Sequence, residues 1–213
     1  MTEGPVARAE GLNAAARYAD AVAVLDAAGA AAGSADGLTA RGWALENLGV
    51  LDGARAAYER ALQLDPDSLW AAEGLANVLR RGGDEAAAEE RYRRVVARAE
   101  QDRSPAADTL ELLGWCLHRL GREREAVDTF RRALAGDPDL VSVRLDLALV
   151  LLCLGEVESA LAEYRLGAET AARADPDVRT GWFHVAADDL REALAERPDL
   201  DRAAAGAALT LLV

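Results

Sequence analysis

Few residues in this sequence have the chemistry to act as catalysts or metal ligands. Among its 213 residues, His118 and His184 are the only histidines, and Cys116 and Cys153 the only cysteines. Cys116 and His118 stand two positions apart, an offset that sends side chains to different faces of a helix. No grouping of His, Cys and carboxylate residues has metal-site spacing. Arg81-Gly82-Gly83-Asp84 has the glycines of a phosphate loop, but it separates two helical stretches and reads as a turn. Carboxylates are plentiful, yet on helix faces they are ordinarily solvated. The sequence predicts no catalytic residue, no metal, no cofactor and no enzyme.

What remains is a set of tryptophans and arginines on an acidic chain. Lys is absent, so every basic residue is Arg, and the net charge is −13. Such a field repels a phosphate backbone, which argues against nucleic acid, and it keeps an exposed helical array in solution. Two thiols on helical faces do not make a disulfide framework, so a reducing, cytoplasmic setting is expected. The N-terminal MTEGPVARAEGLNAAARY lacks the apolar core of a signal peptide. The longest apolar run, Leu147 to Leu154, falls far short of the roughly 20 residues that span a bilayer, so no membrane partner is expected. Half of the chain is apolar, mostly Ala, Leu and Val, and with Arg and Glu this composition predicts an all-α protein.

The elements that carry these side chains repeat. Leu38–Pro66, LTARGWALENLGVLDGARAAYERALQLDP, reads as two short helices with a break between them and a stop. Gly49 to Gly83 is 34 positions and Gly121 to Gly155 again 34, whereas Gly83 to Gly121 is 38. The extra residues, about one helical turn, are expected to lengthen the helix ending near Gln101. The four glycines suit left-handed helix termini. Asp52, Asp84, Glu85 and Glu156 follow them, where a carboxylate can cap free N–H groups. Pro66, Pro138 and Pro176 close units, because Pro cannot continue a helix. The expected division is a degenerate unit at 5–34, clear units at 35–68, 69–106, 107–140 and 141–176, and a divergent capping hairpin at 177–213. That hairpin is expected to hold helices at 178–196 and 200–212.

In this form the sequence resembles the tetratricopeptide repeat (TPR) family of 34-residue helix-turn-helix units. Gly42, Gly49, Ala54, Tyr58, Ala61 and Pro66 match its signature in one unit, and Gly114, Gly121, Ala126, Phe130, Ala133 and Pro138 in another. Ala76, Gly83, Ala88 and Tyr92 match in part, as do Ala148, Gly155, Ala160 and Tyr164. The resemblance implies a right-handed superhelical array of about six hairpins. Its first helices would line a concave groove that holds a peptide or a partner's helix.

The candidate binding residues follow from that family frame. Trp43 and Trp115 fall at the ninth place of their units and Trp70 at the second, places that face the groove in the family. The alternative is that each covers a neighbouring repeat. Trp182 falls at the fourth place, a packing position. Asn77 also holds a ninth place, where peptide-binding members use Asn on the ligand backbone. Arg80, Arg81, His118 and Arg119 border the groove, and Asn47 and Leu149 complete the candidate set. The cations would suit an acidic group on the ligand, since an Arg fork binds both carboxylate oxygens. They would equally serve as helix-end cations facing the C-terminal dipole. A chaperone-tail clamp does not fit: Thr39 and Gly74 stand where the family's Lys and Asn would be.

The expected function is therefore a non-enzymatic protein–protein interaction scaffold. Its rivals are a self-assembling homo-oligomer and the effector-sensing module of a larger regulator. The fifth unit adds a second expectation. VRLDLALVLLCL (143–154) is apolar nearly all round, and such a helix is normally buried on most sides. Its groove side, with Leu145, Leu149, Leu152 and Cys153, needs cover. The uncharged tail 203–213, AAAGAALTLLV, needs burial too. Either the last hairpin folds back on the fifth unit, or the two surfaces meet across a homodimer.

Overall fold

A few side chains set where helices start and stop. Ser34 Oγ accepts from the Gly37 N–H at 3.1 Å, Ser68 Oγ from Ala71 at 3.3 Å, and Asp84 Oδ1 from Ala87 at 3.2 Å. Each satisfies a donor that has no partner inside its own helix. Glu156 takes the corresponding position without a side-chain bond, and Asp52 lies inside the first turn of its helix, so only Asp84 caps as expected. At the other ends, the Val50 N–H donates to Leu45 O and the Gly49 N–H to Glu46 O, both at 2.9 Å. Gly49 has φ 74°, a left-handed conformation that favours glycine. The same pair of bonds recurs at Gly83, Gly121 and Gly155.

The computed structural model describes residues 4–213; the first three residues of the N-terminal segment lie outside it. Among the described residues there are twelve α-helices and no strand. They pair in chain order as antiparallel hairpins: α1 (Pro5–Ala14) with α2 (Tyr18–Ala28), α3 (Ala35–Asn47) with α4 (Leu51–Leu64), and α5 (Leu69–Arg81) with α6 (Glu85–Ala99). Then come α7 (Ala107–Arg119) with α8 (Glu123–Gly136), α9 (Val141–Cys153) with α10 (Val157–Ala171), and α11 (Pro176–Glu196) with α12 (Arg202–Leu211). The chain divides into two compact units, one ending at Gln101 and one beginning at Asp102.

The longer third period has a different origin from the one expected. α6 is 15 residues against 14 in α4, so the helix gains a single residue. The other three extra residues lengthen the connection, 100–106 here against 65–68 after α4. Pro105 explains this, since the residue before a proline is driven to extended backbone and no helix can run through it. Asp102 Oδ1 accepts from the Ser104 N–H at 2.9 Å and closes the turn.

In the first unit, α3 packs on α4 and α5, and α2 on α3. The buried Tyr58 ring joins them, and it fits only because its neighbours lack side chains. A Cβ on Gly42 would stand 2.6 Å from Tyr58 Cε1, and one on Gly74 2.2 Å from Cζ. In the second unit Phe130 takes the equivalent place, and a Cβ on Gly114 would meet it at 2.5 Å. There α8 and α10 pack on α9, which is buried along its length apart from Ser142 and Asp146. Its one buried cation, Arg144, is paired with Glu163 and with the Pro138 carbonyl, each at 2.6 Å. α11 packs on α9, and α12 on α10 and α11, burying Ala204, Ala205, Ala208 and Leu212.

Candidate functional site

The candidate residues of the first unit sit on α3 and α5, adjacent first helices of two hairpins. Trp43 is partly buried, packed on a cluster that includes Tyr18, Leu25, Ala40 and Ala44. Asn47 is exposed and donates from Nδ2 to the Trp43 carbonyl at 2.9 Å. Trp70, at the start of α5, is 44% exposed, far more than an aromatic of its size in a core. Asn77 differs from expectation. It is buried, donating to Glu73 Oε1 at 2.6 Å and accepting from the Tyr92 hydroxyl. It joins α5 to α6 internally, so its oxygen is not offered to a ligand backbone.

Arg81 is exposed, with 36% of its side chain open, but its guanidinium is engaged within the unit. Its Nη1 donates to the Glu46 carbonyl at 2.8 Å and lies 3.7 Å from Glu46 Oε1, at the C-terminal end of α3. Here the helix-end reading of the cations describes the geometry. Arg80 is partly buried beside it. Glu46 is itself buried and accepts from the Tyr58 hydroxyl at 3.0 Å. Burial, with the Glu46 and Glu73 charges adding to it, holds the Tyr58 phenol well above its ordinary pKa.

In the second unit the candidates gather at the C-terminal end of α7. The Arg119 guanidinium lies 4.5 Å above the Trp115 ring centroid, a cation–π contact. The Trp115 and His118 rings are 5.4 Å apart. His118 Nδ1 is 2.6 Å from Glu123 Oε2. Arg119 is not bare: its Nη1 is 3.3 Å from Glu192 and 3.9 Å from Glu196, both on α11. Arg197, just past α11, reaches Glu123 Oε1 at 3.4 Å. Burial pushes the nearby Cys153 thiol above its ordinary pKa, against the lowering effect of Arg197.

Leu149 needs correction as a binding residue. It is 3% exposed, inside the packing of α9, on which α8, α10 and α11 all pack. The carboxylates of α11 were missed from the sequence, although a signal for them exists. Gly83 and Gly155 each fall seventeen positions after a unit-closing proline, and the position seventeen after Pro176 is Ala193. Without a glycine there α11 runs on to Glu196 and carries Glu192 and Glu196 to Arg119. Among the described residues there is no cluster fit for a metal ion, and no helix is long and apolar enough to cross a membrane.

Two tetratricopeptide repeat models match the sequence, at residues 35–78 and 67–139. No curated protein matches it. Among solved structures, the thermophilic TPR protein TTC0263 of Thermus thermophilus is similar, with 22% identity over 85% of this chain and 96% of that one, at a TM-score of 0.64. The APC/C hetero-tetramer Cut9–Hcn1 is similar at 15% identity and a TM-score of 0.60, covering 97% of this chain but 42% of that one. Helix pairs closed by left-handed glycines, an aromatic gripped by glycine in each of two hairpins, and two family models that together match residues 35–139 lead to one conclusion: the chain carries tetratricopeptide repeats within an all-α helical repeat array.

Proposed function

We propose that the protein is a non-enzymatic scaffold that holds a peptide or helix of a partner protein on the first helices of its hairpins. The repeats run at 35–68, 69–106, 107–140 and 141–176, flanked by a degenerate unit at 5–34 and a capping hairpin at 177–213. In the first unit the binding face is Trp43, Asn47 and Trp70, with Arg80 at its border. The observation that carries this reading is Trp70: a large aromatic 44% exposed on α5, one helix away from a partly buried Trp43. Aromatic anchors of this kind dominate binding energy at protein interfaces. The two buried thiols fit a reducing, cytoplasmic setting.

Selection of displayed random peptides on the immobilised protein tests this. Selected peptides should lose on the order of 30-fold in affinity with Trp43→Ala or Trp70→Ala, about 2 kcal/mol each, while circular dichroism stays unchanged. Selection of no binder, or of binders indifferent to both substitutions, would overturn the reading.

A further inference from the structure

The second unit already holds an occupant on its candidate face, and that occupant has a definite chemistry. Glu192 and Glu196 are one helical turn apart, so they lie on the same side of α11. Both approach Arg119 Nη1, at 3.3 and 3.9 Å. Stacking on Trp115 fixes the guanidinium before any carboxylate arrives, and its side chain is only 11% exposed. Arg197 extends the contact to Glu123, which also holds His118.

We propose that the Trp115–Arg119 face of α7 is a docking site for an acidic amphipathic helix of a partner protein, and that the last turns of α11 are its built-in competitor. The inference rests on the scaffold reading and names a ligand class for the second unit. Charge complementarity selects the occupant: Arg119 is met by two carboxylates at i and i+4, presented by a helix. α11 presents both carboxylates only because it runs on past Arg191, the place at which α5 and α9 stop, two residues before Gly83 and Gly155. The overrun is lightly held. Leu190 and Ala193 are buried, but Glu196 and Ala195 are exposed, and Glu192 keeps 31% of its side-chain surface in water. The carboxylates open to water while Arg119 stays largely enclosed, so its charge must remain paired and only an equivalent carboxylate can replace theirs. A competitor covering the site lowers a partner's apparent affinity by the fraction of time the site is closed.

The test uses the full chain and a fluorescein-labelled peptide of its own residues 184–197, HVAADDLREALAER, held helical by a hydrocarbon staple across the exposed positions 191 and 195. Fluorescence anisotropy should show at least about tenfold tighter binding to a Glu192→Gln/Glu196→Gln variant than to wild type. Adding Arg119→Gln to that variant should remove the gain. Ala193→Gly keeps both carboxylates while weakening the helix and removing one buried methyl, and it should move affinity in the same direction, so a folding defect in the double variant does not shield the idea. Equal affinity for wild type and both loosened variants, binding indifferent to Arg119, or no binding to any form would overturn the inference. Peptides selected through Trp43 and Trp70 would survive each of those results, so the two readings fail separately.

Discussion

The two units solve the same packing problem with different materials. In the first, the seam between hairpins is polar inside: Glu46, Glu73 and Asn77 are buried, and Tyr58 and Tyr92 reach them with hydroxyls. In the second, the equivalent aromatic is Phe130, and α9 offers leucines where α3 and α5 offer carboxylates and an amide. The polar seam leaves the outer face of α3 and α5 to Trp43, Asn47 and Trp70. The apolar α9 has to be covered, and α11 covers it. One repeat pattern thus yields an open face in one place and a closed one in another, according to whether the first helix is apolar all round.

The sharpest test of the shared scaffold is removal of the gripped aromatics. Tyr58→Ala and Phe130→Ala should each cost about 3–5 kcal/mol, because the rings fill space that glycines leave. Thermal melts should show similar losses; a small loss in one unit alone would mean that its aromatic is not structural. Leu149→Ala comes next, at about 2–5 kcal/mol, as a core cavity. Its melting temperature should fall well below that of Trp43→Ala, and parity between the two would erase the contrast between closed and open faces.

A subtler change isolates the polar seam. Tyr58→Phe leaves the buried Glu46 short of a donor and should cost about 1–3 kcal/mol by urea denaturation. It should also alter the alkaline limb. Since burial raises the Tyr58 pKa, the unfolded chain loses that proton near pH 10 while the folded chain keeps it. Stability from this group is therefore intact below about pH 10 and declines above it. The phenylalanine variant should lose less between pH 9 and about 11, and an unchanged slope would exclude Tyr58 from the linkage. The smallest effect belongs to Ala193→Gly, about 1–2 kcal/mol from helix propensity and the loss of one buried methyl. A loss several times larger would mean that the overrun of α11 holds the second unit together and is not lightly held.

Much of this fold could be read from residue spacing, because glycines and prolines act locally. A left-handed terminus at Gly49 depends on its own backbone and a few neighbours. The connection 100–106 was misplaced for a reason of the same kind: a period counts residues but does not say whether helix or loop holds them. The candidate site was less legible. Asn77 and Arg81 occupy groove places by register, but their partners Tyr92 and Glu46 lie 15 and 35 positions away. The pairing of Arg119 with Glu192 joins residues 73 positions apart (192 − 119) and was beyond any local pattern.

The grip on Tyr58 reaches beyond packing. The ring belongs to the α3–α4 hairpin, yet Gly74 of the next hairpin presses on it, and Arg81 of that hairpin holds the helix end from which Glu46 meets its hydroxyl. Neither hairpin can open without uncovering a group of the other. Amide protons of α3, α4 and α5 should then exchange with solvent through one shared opening, with a common free energy, where loosely stacked repeats would fray one after another. A single tyrosine placed between two glycines should make these neighbouring repeats unfold together.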